Sequence, residues 1–588
     1  MDFQPDGAAH TQANEQYLAT GDDPLSMAPS LSQEQDQSRH LSTQILPSDE
    51  QQRLFASWFA TRRPYAIIPP FHSLFEEQVI QRPDAIALVF GEHSLTYAAL
   101  NERATHLAYL LQAVGVRPEV CVALYLERSL ETVIAILAVL KAGGAYVPLD
   151  PTAPQARLAF MLSDCTASIL ITRSHLQARL PSDYAGRLLV FEELSEELAH
   201  PLSLRSWQRD SLQAVNLLYT SGSTGQPKGV INTHQGLYNR LFWMQDRYRL
   251  RPDDRVLQKT PYSFDVSVWE MFWPLHNGAT LVLAHPEGHR DSAYLASLIQ
   301  EQEITVAHFV PSMLHIFLEE PDLTQCTSLR YLFCSGEALS VGLQQRCLER
   351  LEVELFNLYG PTEAAIEVTA WTCLRDSALS TVPIGHPISN TAIVLLDEHG
   401  CPVPAGTPGE LGIGGMALAR GYHRRPDLTA ERFRPHPCSP EPGARLYLTG
   451  DLARELPDGS FEFLGRLDYQ VKLRGQRIEL GEIEFALEQH PDLRACLVQV
   501  QTFNVNDQRL VAYLIATTEQ RPAPKELRAF LSLKLPEYMI PSLFIYLEAW
   551  PLLSNGKIDR RALPVAPIGK RPVPQPATVH QTSHETTS

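Results

Sequence analysis

Three consecutive segments restrict the fold more than anything else in this sequence: the apolar run VCVALYL (120–126), the longer LETVIAILAVLKAGG (130–144) and the short AYVPLD (145–150). The first and last have strand length, whereas the middle one is long enough for a helix and reads as amphipathic. Strand, helix and strand in direct succession leave the strands parallel and the helix on the sheet, the building unit of an α/β fold. With 588 residues, the chain exceeds what one hydrophobic core supports, so at least two compact units are expected, one large and itself subdivided.

Beyond Gly409 the pattern changes. GELGIGG and SFEFLGR are short strands, the second preceded by the turn Pro457-Asp458-Gly459, and together they predict a β-rich subdomain. After Arg466, DYQVKLRGQRIELGEIEFALEQHP and VAYLIA give strands, a helix and another strand, the content of a small separate α+β unit. The expected architecture is therefore α/β. A large N-terminal domain over 66–467 combines parallel α/β subdomains with a β-rich subdomain, and a small mobile α+β C-terminal domain covers 468–566. Residues 1 to about 45 are rich in Gln, Ser, Asp and His, and 565–588 alternate Pro with small polar groups, so 1–65 reads as a disordered tail with its linker and 567–588 as a second disordered tail.

A net charge of -18 disfavours nucleic acid and membrane surfaces as partners, since phosphate-tracking surfaces show a basic excess. No apolar run has the length of a bilayer span, and MDFQPDGAAHTQANEQ lacks the features of a secretory signal, so a cytoplasmic location is expected. The nine cysteines include no C-x-x-C pair, which points to neither a zinc cage nor a disulfide framework.

The most informative stretch is LLYTSGSTGQPKGV (217–230). An apolar strand runs into a loop whose backbone N–H groups and hydroxyls, from Thr220, Ser221, Gly222, Ser223, Thr224 and Gly225, can converge on anionic oxygens, with Lys228 as a point charge. Taken alone, such a loop is equally compatible with a solvated polar turn. Three rival motifs fail. A P-loop needs Gly before the lysine, where Pro227 stands, and a hydrolase elbow needs Gly where Ser221 stands. The G-x-G-x-x-A match from Gly412 to Ala417 has no long helix after it, because Gly421 and Pro426 intervene.

Ten segments in fixed order give the loop its context: LTYAAL (95–100), LKAGGAYVPLDP (140–151), the loop itself, FDVSVWEMF (264–272), NLYGPTEAAIE (357–367), GELGIGG with ARGYHRRPDLTAERF (409–433), YLTGDLAR (447–454), GRLDYQVKLRGQRIELGEIE (465–484), LPEYMIPS (535–542) and NGKIDR (555–560). Over roughly residues 65–565 the chain resembles the adenylation domains of nonribosomal peptide synthetases, within the adenylate-forming enzymes. The resemblance implies ATP and Mg²⁺ as cofactors and formation of an aminoacyl-AMP with release of pyrophosphate. It implies catalytic roles for Lys228, Thr362, Glu363 and Lys557, with Glu363 the metal ligand and Lys557 the cation between the substrate carboxylate and the α-phosphate. The nucleotide site it implies comprises the 220–225 loop, Gly336, Glu337, Ala338, Asn357, Tyr359, Gly360, Thr362, Asp451 as the ribose acceptor, Phe463 and Arg466. Phe463 departs from the family's usual Tyr. Asp468 matches the hinge between the two domains.

The pocket positions implied are Asp265, Val266, Trp269, His308, Phe333, Ser335, Leu358, Ile366 and Glu367. A carboxylate at 265 pairs with an α-ammonium and so favours an amino acid over fatty or aryl acids. Two bulky rings leave a small cavity, and His308 and Ser335 suit a short polar side chain. Outside the family context, His308 within ITVAHFVP would read as a core histidine. The set looks like the serine pattern but has Glu367 where that pattern carries Asp, which keeps 2,3-diaminopropionate as an alternative. An acyl- or aryl-CoA ligase and a catalytically silent scaffold are the other readings. No carrier segment follows NGKIDR, so a phosphopantetheinylated carrier protein acting in trans is expected as partner, together with the amino acid and a small MbtH-type helper.

Overall fold

The computed structural model of the chain describes residues 60–552 and 558–565, apart from 66–67, 195–203, 206, 208–209, 223–224, 378, 440, 505–506 and 519–520. All of them lie in one compact unit, Leu46–Ser588. Of the residues singled out above, Ser223, Thr224 and Lys557 fall outside the described ones, as do nearly all of 1–65 and the whole of 567–588.

The architecture is α/β, as read from the sequence. A six-stranded sheet has the strand order 187–190, 169–172, 121–125, 145–149, 214–220, 228–233, parallel except for its last hairpin. A nine-stranded sheet carries six neighbouring parallel strands, 354–359, 331–334, 306–309, 255–258, 280–283 and 86–90, flanked by antiparallel edges.

The helix Leu130–Ala142 corrects one expectation: it is not amphipathic, because every residue from Thr132 to Ala142 is buried. One continuous core joins its Val133, Ile136 and Leu140 to Val122 and Ile171 of the six-stranded sheet and to Leu88, Val256 and Leu281 of the nine-stranded one. A helix covered on both sides needs apolar groups all round. Each fully buried Leu, Ile or Val contributes about 1.5–3 kcal/mol. The buried Lys141 in its last turn is neutralised by Glu76.

The β-rich sheet begins earlier than the sequence pattern suggested, at Thr391–Leu396, and continues through Gly409–Gly415, Phe433–Pro435, Arg445–Glu455 and Phe461–Arg466. Gly412 and Gly414 lie inside a strand paired antiparallel on both sides, so the glycine pattern there serves close strand packing and not a dinucleotide turn. From Gln470 onward a hairpin (470–473 with 476–479), the helix Leu480–Glu488 and a three-stranded sheet (493–504, 507–516, 543–546) build a core of their own around Ile483, Leu487 and Leu514. Among the described residues, no helix is long and apolar enough to cross a membrane.

Candidate active site

The parallel strands of the nine-stranded sheet end side by side, and their carboxyl ends deliver His308, Phe333, Ser335, Leu358 and Tyr359 to one region, the usual place for a site in an open α/β sheet. The loop after Ala214–Thr220 faces a cavity of about 150 Å³, which Thr220, Ser221, Asp265, Gly336, Gly360, Thr362, Asp451 and Arg466 all line. Within the loop, a Cβ on Gly222 would sit 1.9 Å from the carbonyl oxygen of Gln226, so only glycine lets the backbone turn this tightly. The buried Thr220 hydroxyl has no protein partner among the described residues.

Lys228 and Glu363 are both buried, with Nζ 3.6 Å from Oε1. Burial lowers the Lys228 ammonium to about 8, helped by Arg477 and opposed by Glu363. Burial alone would raise the Glu363 carboxyl, but Arg477 and Lys228 hold it far below the carboxylate range. Its Oε1 accepts from the Tyr422 hydroxyl at 2.8 Å and its Oε2 from Arg477 Nη1 at 2.7 Å.

Asp265 caps the helix Val266–His276. Its Oδ1 accepts from Val266 N at 2.8 Å, and its Oδ2 accepts from the Thr362 hydroxyl at 2.6 Å. Burial, reinforced by the charge of Glu367 and opposed by the Thr362 bond, raises its carboxyl to about 6. Asp451 accepts from the Tyr359 hydroxyl and from Arg466, which leaves spare lone pairs on both oxygens for further donors. The Tyr359 ring lies 6.5 Å from that of Phe463 and has Lys472 Nζ 5.6 Å from its centroid. Asn357 donates to Pro383 O at 2.8 Å, while its Oδ1 has no partner among the described residues.

The pocket positions form a tight buried cluster behind Asp265. Trp269 packs edge-on against Phe333 at 5.4 Å and against His308 at 6.0 Å, with Leu358 and Ile366 also buried. At its polar end the Ser335 hydroxyl lies 2.9 Å from His308 Nε2 and donates to Glu367 Oε1 at 3.2 Å.

Residues 75–423 match the family model described as AMP-binding enzyme. The chain belongs to the AMP-binding enzyme family. It is 46% identical to tyrocidine synthase 3 of Brevibacillus parabrevis over 84% of its length, and 49% identical to the phosphinothricin tripeptide synthetase PhsB of Streptomyces viridochromogenes over 85%. It spans only 8% and 42% of those two relatives. Among solved structures, holo-PA1221, an NRPS protein containing adenylation and PCP domains bound to a vinylsulfonamide inhibitor, aligns with a TM-score of 0.73 at 29% identity, covering 84% of each chain. Within the AMP-binding enzymes the chain is thus an adenylation unit of the nonribosomal peptide synthetase kind, an AMP-forming ligase.

Several functional groups of this adenylation unit had no part in the sequence reading. Arg477, on the 476–479 strand, reaches into the cavity and pairs with Glu363. Lys472, Gln470 and Gly475 line the same cavity. Gly475 N donates to Glu337 Oε1 at 2.7 Å, Ser221 Oγ donates to the Arg477 carbonyl at 2.8 Å, and Phe485 lies against Gly225. The small unit therefore presents the 470–485 face to the loop that follows Ala214–Thr220. The described residues flanking Lys557, Leu552 and Ile558, bridge to one another, and Ile558 packs on Leu497 and Tyr513 of the three-stranded sheet. Ala338 is exposed and does not line the cavity. Arg240 is the other group not foreseen: wholly buried, it donates to Glu367 Oε2 from Nε at 3.1 Å and from Nη2 at 2.8 Å. LRGQRIE and LYNRLFW held both arginines in view, but a cation in an otherwise apolar or motif-rich stretch carries no sequence signal of its partner.

Proposed function

We propose that this adenylation unit activates a small polar amino acid, serine foremost, and passes it to the phosphopantetheine thiol of a carrier protein. The observation that supports this best is the position of Asp265, which lines the cavity together with Thr220 and Ser221 and caps the helix that carries Trp269 into the buried His308–Ser335 cluster. A carboxylate there pairs with an α-ammonium and leaves the substrate's acid end toward the triphosphate. One carboxylate oxygen then attacks the α-phosphorus in line. The bond to the β-phosphate oxygen breaks with its electron pair, pyrophosphate departs, and the mixed anhydride is later opened by the carrier thiol, with AMP as the leaving group.

Lys228, beside Glu363, and the Thr220 and Ser221 hydroxyls on the cavity wall are suited to neutralise phosphate charge. Glu363 is the protein carboxylate suited to Mg²⁺, provided Arg477 withdraws from it, and bound Mg²⁺ would supply charge neutralisation on the phosphates. Asp451 remains the ribose acceptor. Asp468 is the proposed hinge, and a small MbtH-type helper belongs to the same reading.

Pyrophosphate exchange across a panel of acids tests the proposal. Serine is expected to be the best substrate and simple fatty or benzoic acids inert; exchange with those acids and with no amino acid would reject it. Lys557→Ala is expected to slow adenylate formation by about 10²- to 10³-fold, the cost of losing one group aimed at transition-state charge, with ATP affinity little changed in calorimetry.

A further inference from the structure

The polar end of the pocket is built as a chain of four buried side chains. Arg240, on the helix His234–Tyr248, is 0% exposed and directs Nε and Nη2 at one oxygen of Glu367. The other oxygen of Glu367 receives the Ser335 hydroxyl at 3.2 Å. A serine hydroxyl has one proton, so the 2.9 Å contact between Ser335 and His308 must be donated by the His308 Nε2–H. That fixes the tautomer and leaves Nδ1 as an acceptor with no protein partner among the described residues. Burial keeps the imidazole neutral. The cation of Arg240 cancels the anion of Glu367, so the chain as a whole has no net charge and ends in a neutral acceptor.

We propose that Arg240 is a specificity-determining positioning residue: by holding Glu367 in a neutralised ion pair, it makes the pocket select a side-chain hydroxyl and reject a second ammonium. The inference rests on the reading of Asp265 and its neighbours as an amino-acid pocket of serine type. From sequence alone, the longer carboxylate at 367 spoke for 2,3-diaminopropionate. The structure takes that charge out of play. A buried ammonium needs an uncommitted counter-charge, whereas Glu367 already has one and the guanidinium behind it repels another cation. A hydroxyl needs only an acceptor. The Trp243 ring lies 5.1 Å from the guanidinium carbon, a second contact that keeps the cation beside Glu367.

The test is pyrophosphate exchange on the full chain with L-serine and L-2,3-diaminopropionate, comparing the native protein with Arg240→Gln, Arg240→Lys, Glu367→Gln and the Arg240→Gln/Glu367→Gln double variant. The quantity read is the ratio of kcat/KM for diaminopropionate to that for serine, in which any loss of folded protein cancels. It is expected to rise at least about 10-fold in Arg240→Gln, where Glu367 is freed, and to stay within about threefold of native in Arg240→Lys. It should fall below native in Glu367→Gln, where the cation stands alone, and the double variant should lose the rise seen in Arg240→Gln. Equal loss on both substrates in Arg240→Gln overturns the proposal, as does a raised ratio that survives in the double variant. Should Arg240→Gln not fold, an unchanged ratio in Glu367→Gln overturns it equally. A native chain that turns over neither amino acid overturns the underlying pocket reading, a result distinct from a native serine enzyme whose ratio no variant moves.

Discussion

Asp265 and Lys228 have ionisations displaced toward one another, the first up to about 6 and the second down to about 8, both chiefly by burial. On the proposed reading, the amino acid needs Asp265 as the carboxylate and the triphosphate needs Lys228 as the ammonium. Since kcat/KM reports the free enzyme, its pH profile is expected to be a bell, falling below about 6 as Asp265 gains a proton and above about 8 as Lys228 loses one. Asp265→Asn should abolish the acid limb and lower kcat/KM for the amino acid by about 10- to 100-fold, the loss of one hydrogen bond to a charged group. An acid limb that persists unchanged in Asp265→Asn would assign it to another group. At this scale the sequence was an uneven guide. Asp265, Trp269, His308 and Ser335, which the family resemblance implies, do come together, on strand ends and a helix start. Arg240 and Arg477 were not foreseen, since each acquires its meaning from a carboxylate more than a hundred residues away.

Among the elements, the turn from Gly360 to Glu367 binds the two halves of the site together. Ala365 and Ile366 both have positive φ, 51° and 85°. For a β-branched residue such a conformation is a genuine outlier, maintained only by its surroundings. A Cβ on Gly360 would meet the Ile366 carbonyl oxygen at 2.4 Å and Glu367 Cα at 2.5 Å, so the glycine is what allows the turn to double back. Gly360→Ala is expected to cut exchange activity by about 10²-fold, since misplacing reacting groups by about 1 Å has that effect, while circular dichroism shows the fold retained. Activity within threefold of native would show that the turn tolerates the displacement. Neither strained residue was evident beforehand, because NLYGPTEAAIE records which residues are present and not the φ they adopt. The same limit applied to the helix Leu130–Ala142. Its apolar character was plain, but burial from both sides depends on a second sheet formed by strands far along the chain.

For the molecule as a whole, the docking of the small unit bears on catalysis. Arg477 engages two groups of the proposed nucleotide site, its guanidinium pairing with Glu363 and its carbonyl accepting from Ser221, so on the proposed reading it has to withdraw before Glu363 can take a metal ion. Asp468 accepts from Arg466 Nε at 2.6 Å and Nη2 at 2.8 Å and from Gln470 N at 3.1 Å, tying the junction to Asp451, the proposed ribose acceptor, through the shared arginine. Asp468→Pro is expected to leave pyrophosphate exchange within a few-fold of native while slowing carrier loading at least about 10-fold, as stiffened hinges do. Equal loss in both steps would remove the hinge role. The order of the domains and the α/β class were legible in the sequence, since both follow from runs of pattern along the chain. How the two parts face each other was not.

The helix shared by the two large sheets has a practical consequence for anyone recombining this protein with its relatives. Its side chains meet the sheet that bears the 220–225 loop on one flank and the sheet that bears the proposed amino-acid pocket on the other. A transplanted selectivity segment would arrive with a surface shaped for a different partner and would have to mate with a helix it did not grow up beside. Crossover points that keep 130–142 together with both of its flanks should yield well-behaved hybrids, and joints that separate them should yield aggregates.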